Sequence, residues 1–216
     1  MVVGADEAGK GPALGPLVAG AVRAAPADLP AGLDDSKQLP AARRAELAAE
    51  LREHPGISVA TAVVAPARID APETDMNSLG VAAQAEAVAA VATDGDDVVA
   101  DAADTDESRF GRRLADTVAG SGVEISVTAE HGADEAYPVV SAASVVAKVE
   151  RDRRMDAIGE QHDRDVGSGY PSDPTTRAFL ESYVGEHGSL PDCARATWAT
   201  CEDVLAAAEQ SGLSEF

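Results

Sequence analysis

Residues 2–24, VVGADEAGKGPALGPLVAGAVRA, decide the class of fold. Apolar residues at 2–6 and 14–24 predict two strands, and the glycines and prolines between them predict the turn that joins the strands. Three further β-branched or apolar runs predict strands, at 57–65, 98–101 and 123–130. Four alanine-rich or charge-alternating runs predict helices, at 40–53, 76–92, 106–119 and 138–160. Three early strands followed by alternating strands and helices favour an α/β domain with a mixed sheet.

The C-terminal residues continue this domain with a different pattern. They contain the turn-rich loop GSGYPSDP at 167–174 and two helical segments, near 174–186 and 199–210. No internal repeat, low-complexity linker or sharp change in composition separates them from the preceding residues. We therefore expect residues 1–216 to form one domain whose last fifty or so residues are a helical extension packed on it.

The charge balance is strongly acidic. Asp and Glu total 38 against 17 Lys and Arg, which gives a net charge of −21, and lysine occurs only at Lys10, Lys37 and Lys148. With 45% hydrophobic residues in regular patterns, the chain is too apolar for a disordered acidic segment. A folded acidic protein fits a cytoplasm of molar salt, where the Debye length is about 3 Å. The composition therefore suggests a halophile, a hypothesis that full activity in dilute buffer would contradict.

Several classes of protein are excluded by the composition. The opening MVVGADEAGK lacks the basic and apolar regions of a signal peptide, and no apolar run approaches the length of a membrane span. Cys193 and Cys201 form no CxxC pair, so we expect two ordinary thiols rather than a disulfide or a zinc site. A cytoplasmic protein with no membrane association is expected.

Carboxylates follow three of the predicted strands. Asp6 and Glu7 stand at the end of the first strand, Asp101 ends VVAD, and Asp134 follows the fifth strand. At one edge of a sheet they would form a pocket of hard oxygen ligands suited to Mg²⁺ or Mn²⁺. Two such ions about 3.5–4 Å apart could clamp the attacking water and the leaving oxygen of a phosphodiester. The alternative is a set of solvated acidic turns.

Other segments carry groups that suit a nucleic acid. Gly9-Lys10-Gly11 lacks P-loop spacing, but its unshielded backbone could approach a sugar closely and test for a 2′-hydroxyl; it could also be only a tight connection. Ser144 and Lys148 lie on one face of the helix predicted at 138–160, where they suit phosphate oxygens or form a solvated face. The remaining two candidates are Tyr170, for stacking or for pinning its loop, and Lys37, in a turn before a helix.

Six segments, in order between about residues 2 and 200, resemble ribonuclease HII, especially its archaeal members. These segments are GADEAGKGPALGPLVAGAV, DDSKQL, MNSLGVAAQAEAV, VVADAAD, ADEAYPVVSAASVVAKVERDR and GSGYPSDPTT. The resemblance implies a ribonuclease H-like fold with a mixed five-stranded sheet flanked by helices over 1–162. Residues 163–216 would form the helical extension. In RATWAT, Ala199 stands where the family has a lysine, which puts the C-terminal contacts with nucleic acid in doubt.

The resemblance also assigns residues to roles. The metal and catalytic set would be Asp6, Glu7, Asp101 and Asp134. Gly9, Lys10 and Gly11 would sense the ribose 2′-hydroxyl, and Tyr170 would stack on the sugar beyond the RNA-to-DNA junction. The remaining substrate contacts, to phosphates, would come from Lys37, Ser144 and Lys148.

The activity that the resemblance implies is endonucleolytic cleavage of RNA–DNA hybrids and of duplex DNA that contains ribonucleotides. Two metal ions, Mn²⁺ or Mg²⁺, would support hydrolysis to 5′-phosphate and 3′-hydroxyl ends by a monomer, and a sliding clamp is a candidate partner. The alternatives are another metal-dependent nuclease or phosphatase on a related fold, and a non-catalytic adaptor associated with nucleic acid.

Overall fold

A computed structural model describes residues 1–33 and 39–213 of the 216-residue chain. Its sheet has five strands: β1 (Val2–Ala8), β2 (Leu17–Ala24), β3 (Ser58–Val64), β4 (Asp97–Asp101) and β5 (Ser126–Glu130). The strand order is β3-β2-β1-β4-β5. β1 pairs antiparallel with β2 and parallel with β4, and β4 pairs parallel with β5. The predicted mixed sheet of five strands is confirmed.

Helices fill most of the connections between these strands. Those of the described residues are α1 (Ala41–Glu53), α2 (Pro66–Ile69), α3 (Met76–Ala89), α4 (Glu107–Ala119), α5 (Ala133–Ala136), α6 (Pro138–His162), α7 (Pro174–His187) and α8 (Ala199–Leu213). An aspartate caps the N-terminus of three of them: Asp75 for α3, Asp106 for α4 and Asp173 for α7. Each aspartate side chain accepts hydrogen bonds from backbone amides in the first turn of its helix. No helix in the described residues is long and apolar enough to cross a membrane.

The first of two compact units holds nearly all of the sheet. It comprises Met1–Ala8, Val18–Val63 and Asp75–Arg151. Its core is aliphatic, with Val22, Leu47, Leu51, Val140 and Val146 fully buried. Because the sequence supplies few aromatic residues, this core is made of small side chains that let helix and sheet backbones approach closely.

The second compact unit comprises Gly9–Leu17, Val64–Thr74 and Asp152–Phe216. Its core contains Leu14, Phe179, Leu180 and Cys201, all buried. The glycine-rich segment after β1 is fastened within this unit by backbone hydrogen bonds. The amides of Ala13 and Leu14 donate to the carbonyl of Gly169 at 2.8 and 3.2 Å.

Two glycines of the sheet allow α6 to lie directly on β1 and β2. A Cβ on Gly4 would overlap the backbone carbonyl of Val139, and one on Gly20 would come within 2.5 Å of the carbonyl oxygen of Ala143. Gly4 and Asp6 are two residues apart in β1, so their side-chain positions share the face that α6 covers. This close packing is what brings the side chains of α6 to the end of β1.

We expect Gly20→Ala to destabilise the protein by about 1–3 kcal/mol, because the added methyl group must displace the backbone of α6. Gly185→Ala is the matched control, for which the expected change in stability has the opposite sign. Gly185 lies within α7 with nothing within 4 Å of its Cβ position, so alanine should stabilise by about 0.5–1 kcal/mol. Denaturant unfolding of both variants checks this, and a Gly20→Ala variant as stable as the wild type would contradict the close approach of α6.

Candidate metal centre and substrate loops

The register of the sheet brings the ends of β1 and β4 together. Ala5 pairs with Ala100 in the parallel ladder, so Asp6 and Asp101 follow at the same level of neighbouring strands. β1 does not end at Asp6 as predicted but continues to Ala8, because its pairing with β2 extends through Asp6, Glu7 and Ala8. Asp6 and Glu7 therefore point to opposite faces of the sheet.

Asp6 is a buried carboxylate on the face covered by α6. The hydroxyl of Ser144 and the backbone N–H of Glu7 donate hydrogen bonds to it, the latter at 2.7 Å. Burial, together with the negative charges of Glu7 and Asp101, raises the pKa of Asp6 well above its ordinary value, although these hydrogen bonds act in the opposite direction. Proximity to two further carboxylates makes this strand end a centre of negative charge.

Glu7 is half-buried on the other face of the sheet, where α3 packs. Its Oε2 accepts a hydrogen bond of 2.5 Å from Nε2 of Gln84. The same nitrogen donates to the backbone carbonyl of Asp101 at 3.0 Å. One amide group of α3 therefore contacts the ends of both β1 and β4.

Asp101 is held by the backbone that follows β5. Its Oδ1 accepts hydrogen bonds from the amides of Gly132 and Ala133, at 2.7 and 3.2 Å. These amides introduce the short helix α5, whose second residue is the buried Asp134. Asp134 thus lies one residue beyond the backbone that binds Asp101, in a helical turn that the sequence did not predict.

The chemistry of these donors fits a divalent cation. The side chains of Asp6, Glu7 and Asp101 offer hard oxygen ligands of the kind that Mg²⁺ and Mn²⁺ prefer, and their mutual repulsion is what a cation would relieve. Among the described residues, no three Asp, Glu, His or Cys side chains are gathered tightly enough to form a ready-made metal site. Each carboxylate is instead held by its own hydrogen bonds. Ser144 donates to Asp6, Gln84 donates to Glu7, and the amides of residues 132 and 133 donate to Asp101.

The polar side chains of α6 differ in burial and in hydrogen-bond partners. Ser141 is fully buried and its hydroxyl donates to the carbonyl of Leu33, so it has a structural partner. Ser144 is also fully buried, between Asp6 and the half-buried Lys148, whose Nζ donates to its hydroxyl at 2.9 Å. A path of hydrogen bonds therefore connects a cation of α6 with the carboxylate of Asp6.

A buried arginine organises the glycine-rich loop. Arg195 is fully buried, and its guanidinium donates to three carbonyls of the loop, those of Gly9 at 2.5 Å, Lys10 at 3.0 Å and Gly15 at 3.1 Å. The ring of Trp198 lies over this guanidinium, 5.1 Å away. The inward direction of these carbonyls fixes the course of the loop, in which Gly9 has a positive φ of 89°.

Tyr170 stands on a second ordered loop of the same unit. The residue is 41% exposed, and its ring lies 3.7 Å from the Cβ position of Gly11. Asp173 fixes this loop, since its carboxylate accepts from the amide and hydroxyl of Ser168, both at 2.6 Å, and begins α7. These bonds lower the pKa of Asp173 to about 2. The exposed tyrosine beside an exposed glycine offers a surface on which a sugar could stack.

The predicted site residues fall into three groups. Asp6, Glu7, Asp101, Asp134, Ser144 and Lys148 belong to the first unit, and Gly9, Lys10, Gly11 and Tyr170 to the second. Lys37 lies outside the described residues. Two residues that support these groups, Gln84 and Arg195, were not predicted from the sequence. A lone amide in the alanine-rich run VAAQAEAV was the available signal for Gln84, whereas a single arginine in CARATW gave no sign of its burial.

The fold matches solved structures of one class of nuclease. The crystal structure of the ribonuclease H2 from Pyrococcus horikoshii OT3 superposes with a TM-score of 0.87 at 34% identity, over 97% of this chain and 99% of that one. The ribonuclease HII in a complex with PCNA from Archaeoglobus fulgidus gives a TM-score of 0.81 at 36% identity, over 94% of this chain and 96% of that one. The mixed sheet with acidic strand ends is thus a ribonuclease H fold.

The sequence identifies the family. Residues 3–201 match the family Ribonuclease HII. The Ribonuclease HII of Halobacterium salinarum is 56% identical over 213 residues, which are 99% of this chain and 98% of that protein. The chain belongs to the ribonuclease HII family, and it is accordingly a ribonuclease H and a hydrolase. A relative from a halophile also fits the hypothesis drawn from the acidic composition.

Proposed function

We propose that this enzyme is an endonuclease that hydrolyses the RNA strand of RNA–DNA hybrids and cuts at ribonucleotides embedded in duplex DNA. The observation that carries the proposal is the position of Asp6 near the carboxyl end of β1, beside the end of β4. It is buried, and it lies close enough to Glu7 and Asp101 for their charges to raise its pKa. A protein gains no stability from such a cluster of like charges, so its use is expected to lie in binding a cation.

Asp6, Glu7, Asp101 and Asp134 would hold two divalent ions, Mg²⁺ or Mn²⁺. Such ions supply Lewis-acid activation of the phosphodiester and neutralise the charge that develops on its oxygens. The protein groups fix the ligands: Ser144 and the Glu7 amide orient Asp6, and the amides of residues 132 and 133 orient Asp101. The expected products carry 5′-phosphate and 3′-hydroxyl ends.

Substrate selection is assigned to other residues. We propose that the backbone of Gly9, Lys10 and Gly11 contacts the ribose 2′-hydroxyl and that Tyr170 stacks on the sugar beyond the RNA-to-DNA junction. The structure supports this with the loop geometry set by Arg195 and with the exposure of Tyr170. The 2′-hydroxyl is the group by which a protein distinguishes RNA from DNA.

Phosphate contacts are proposed for Lys148 and Lys37, and for the buried Ser144 through its hydrogen bond with Lys148. Lys148 is the best placed of those described, since its ammonium group lies 2.9 Å from the Ser144 hydroxyl that contacts Asp6. At high salt such contacts lose affinity through counterion release, so recognition should depend more on metal, 2′-hydroxyl and stacking contacts. We therefore expect a shallower dependence of substrate affinity on salt than a basic ribonuclease shows.

The test is cleavage of an end-labelled RNA–DNA hybrid beside an all-DNA duplex of the same sequence, in high KCl with Mg²⁺, Mn²⁺ or EDTA. Metal-dependent cutting of the RNA strand alone is the expected result. Cutting of both duplexes would indicate a general nuclease, and hydrolysis of small phosphate esters would indicate a phosphatase. Binding without turnover in all of these conditions, including those with Mg²⁺ or Mn²⁺, would indicate an adaptor.

A sliding clamp is a proposed partner. The solved ribonuclease HII from Archaeoglobus fulgidus is in a complex with PCNA, and that protein matches 94% of this chain. We further propose that the enzyme acts as a cytoplasmic monomer. Light scattering of the chain alone, and with a purified clamp, checks the oligomeric state and the contact.

A further inference from the structure

Gln84 is a buried polar side chain that joins two strand ends of the candidate metal centre. It lies in α3 and is completely buried among residues that are mostly alanine and valine. Its Nε2 donates one hydrogen bond to Oε2 of Glu7 at 2.5 Å and another to the carbonyl of Asp101 at 3.0 Å. Both hydrogens of the amide nitrogen are thereby used on groups at the ends of β1 and β4.

The chemistry of the partners fixes the orientation of this amide. A backbone carbonyl only accepts hydrogen bonds, and so does an ionised carboxylate, so both neighbours require the nitrogen rather than the oxygen of Gln84. The amide oxygen, Oε1, is buried and accepts no hydrogen bond from any described residue. Burying such an atom lowers stability. An apolar side chain of similar length would fill the same space without this penalty.

Gln84 combines a buried oxygen that costs stability with two hydrogen bonds that hold a carboxylate in a defined direction, which is typical of support for a ligand. We propose that Gln84 is a positioning residue that orients the carboxylate of Glu7 for the divalent cation, a role that rests on the proposed function. Its second bond anchors the amide to the backbone of Asp101, so Glu7 is oriented relative to the neighbouring strand end. Gln84 itself acts only through Glu7.

The decisive variant is Gln84→Met, which preserves length and removes both donor and buried oxygen. Glu86→Met is the matched control, because Glu86 is exposed on the same helix two residues away. Mn²⁺ binding to the metal-free, full-length protein is measured in high KCl by the EPR signal of free Mn²⁺, without substrate. Thermal unfolding of the same metal-free samples is measured in parallel, and Gln84→Leu serves as a second apolar variant if Gln84→Met does not fold.

We expect Gln84→Met to be modestly less stable than the wild type, because it removes the donor to the Asp101 carbonyl as well as the buried oxygen. It should still fold, and it should bind Mn²⁺ about tenfold more weakly, as loss of a hydrogen bond to a metal ligand does elsewhere. In cleavage assays the half-saturating metal concentration should rise while kcat at saturating metal recovers. Mn²⁺ affinity within twofold of the Glu86→Met control would overturn the proposal and leave the proposed function intact. A wild-type protein that binds no Mn²⁺ would overturn the proposed function and this inference with it.

Discussion

Asp101→Asn is expected to lower cleavage of an RNA–DNA hybrid about a thousandfold, because metal-assisted charge stabilisation contributes several kcal/mol and each 1.4 kcal/mol is about tenfold in rate. The fold should survive the change. Asparagine keeps an Oδ1 that can accept the two amide bonds from Gly132 and Ala133, and only the negative charge is lost. Single-turnover cleavage at saturating enzyme and metal measures the effect.

Asp97→Asn is the matched control for this change. Asp97 is an exposed residue at the other end of β4. Its substitution therefore removes the same charge far from Asp101 and the candidate metal ligands. Its activity should be close to that of the wild type. Near-normal cleavage by Asp101→Asn, in a sample that unfolds at the wild-type temperature, would remove Asp101 from the catalytic set.

Arg195→Met is expected to have the largest effect on stability, about 3 kcal/mol or more. It leaves three loop carbonyls, those of Gly9, Lys10 and Gly15, without the guanidinium that binds them, and each buried unsatisfied group costs about 1–3 kcal/mol. The loop should then lose its fixed course, and the preference for ribonucleotides over deoxyribonucleotides should fall. Arg195→Lys keeps the charge but not the planar fork, so an intermediate loss is expected.

Arg177→Met provides the control for Arg195, since Arg177 is an exposed arginine in the same unit. Denaturant unfolding gives the stabilities, and the ratio of cleavage rates on hybrid and all-DNA duplexes gives the selectivity. If Arg195→Met were as stable as Arg177→Met, the guanidinium would not be organising the loop. If Arg195→Met were less stable but kept the wild-type ratio of cleavage rates on hybrid and all-DNA duplexes, the loop would not be the element that senses the ribose.

The sheet could be predicted because most of its strands are short apolar runs, although β2 and β5 begin three residues later than predicted. β3 and β4 were placed within one residue by their flanking Pro, Gly and Asp residues. The end of β1 was placed two residues early, because Asp6 and Glu7 interrupt the apolar pattern although their pairing with β2 continues. Local hydrophobicity does not report pairing with another strand, so such an error is expected at a strand that carries charges for function.

The carboxylates could be proposed from sequence because they follow recognisable strands, but their supports could not. Gln84 and Glu7 are 77 residues apart, and Arg195 and Gly9 are 186 apart, so nothing local signals these contacts. Ser144 was predicted to face a phosphate, and its burial against Asp6 depends on how closely α6 packs on Gly4 and Gly20. The division of the chain at residue 163 and the roles of the site residues stay predictions.

We propose that the strand-end carboxylates hold the catalytic metal ions and that the loop of Gly9, Lys10 and Gly11 recognises the ribose. The most direct test is cleavage of an end-labelled DNA duplex that carries one ribonucleotide, with product ends mapped, in high KCl with Mn²⁺, Mg²⁺ or EDTA. The predicted result is a single metal-dependent cut on the 5′ side of the ribonucleotide, leaving a 3′-hydroxyl and a 5′-phosphate, with an all-DNA duplex intact. Cleavage that persists in EDTA, or that cuts the all-DNA duplex equally, would contradict it.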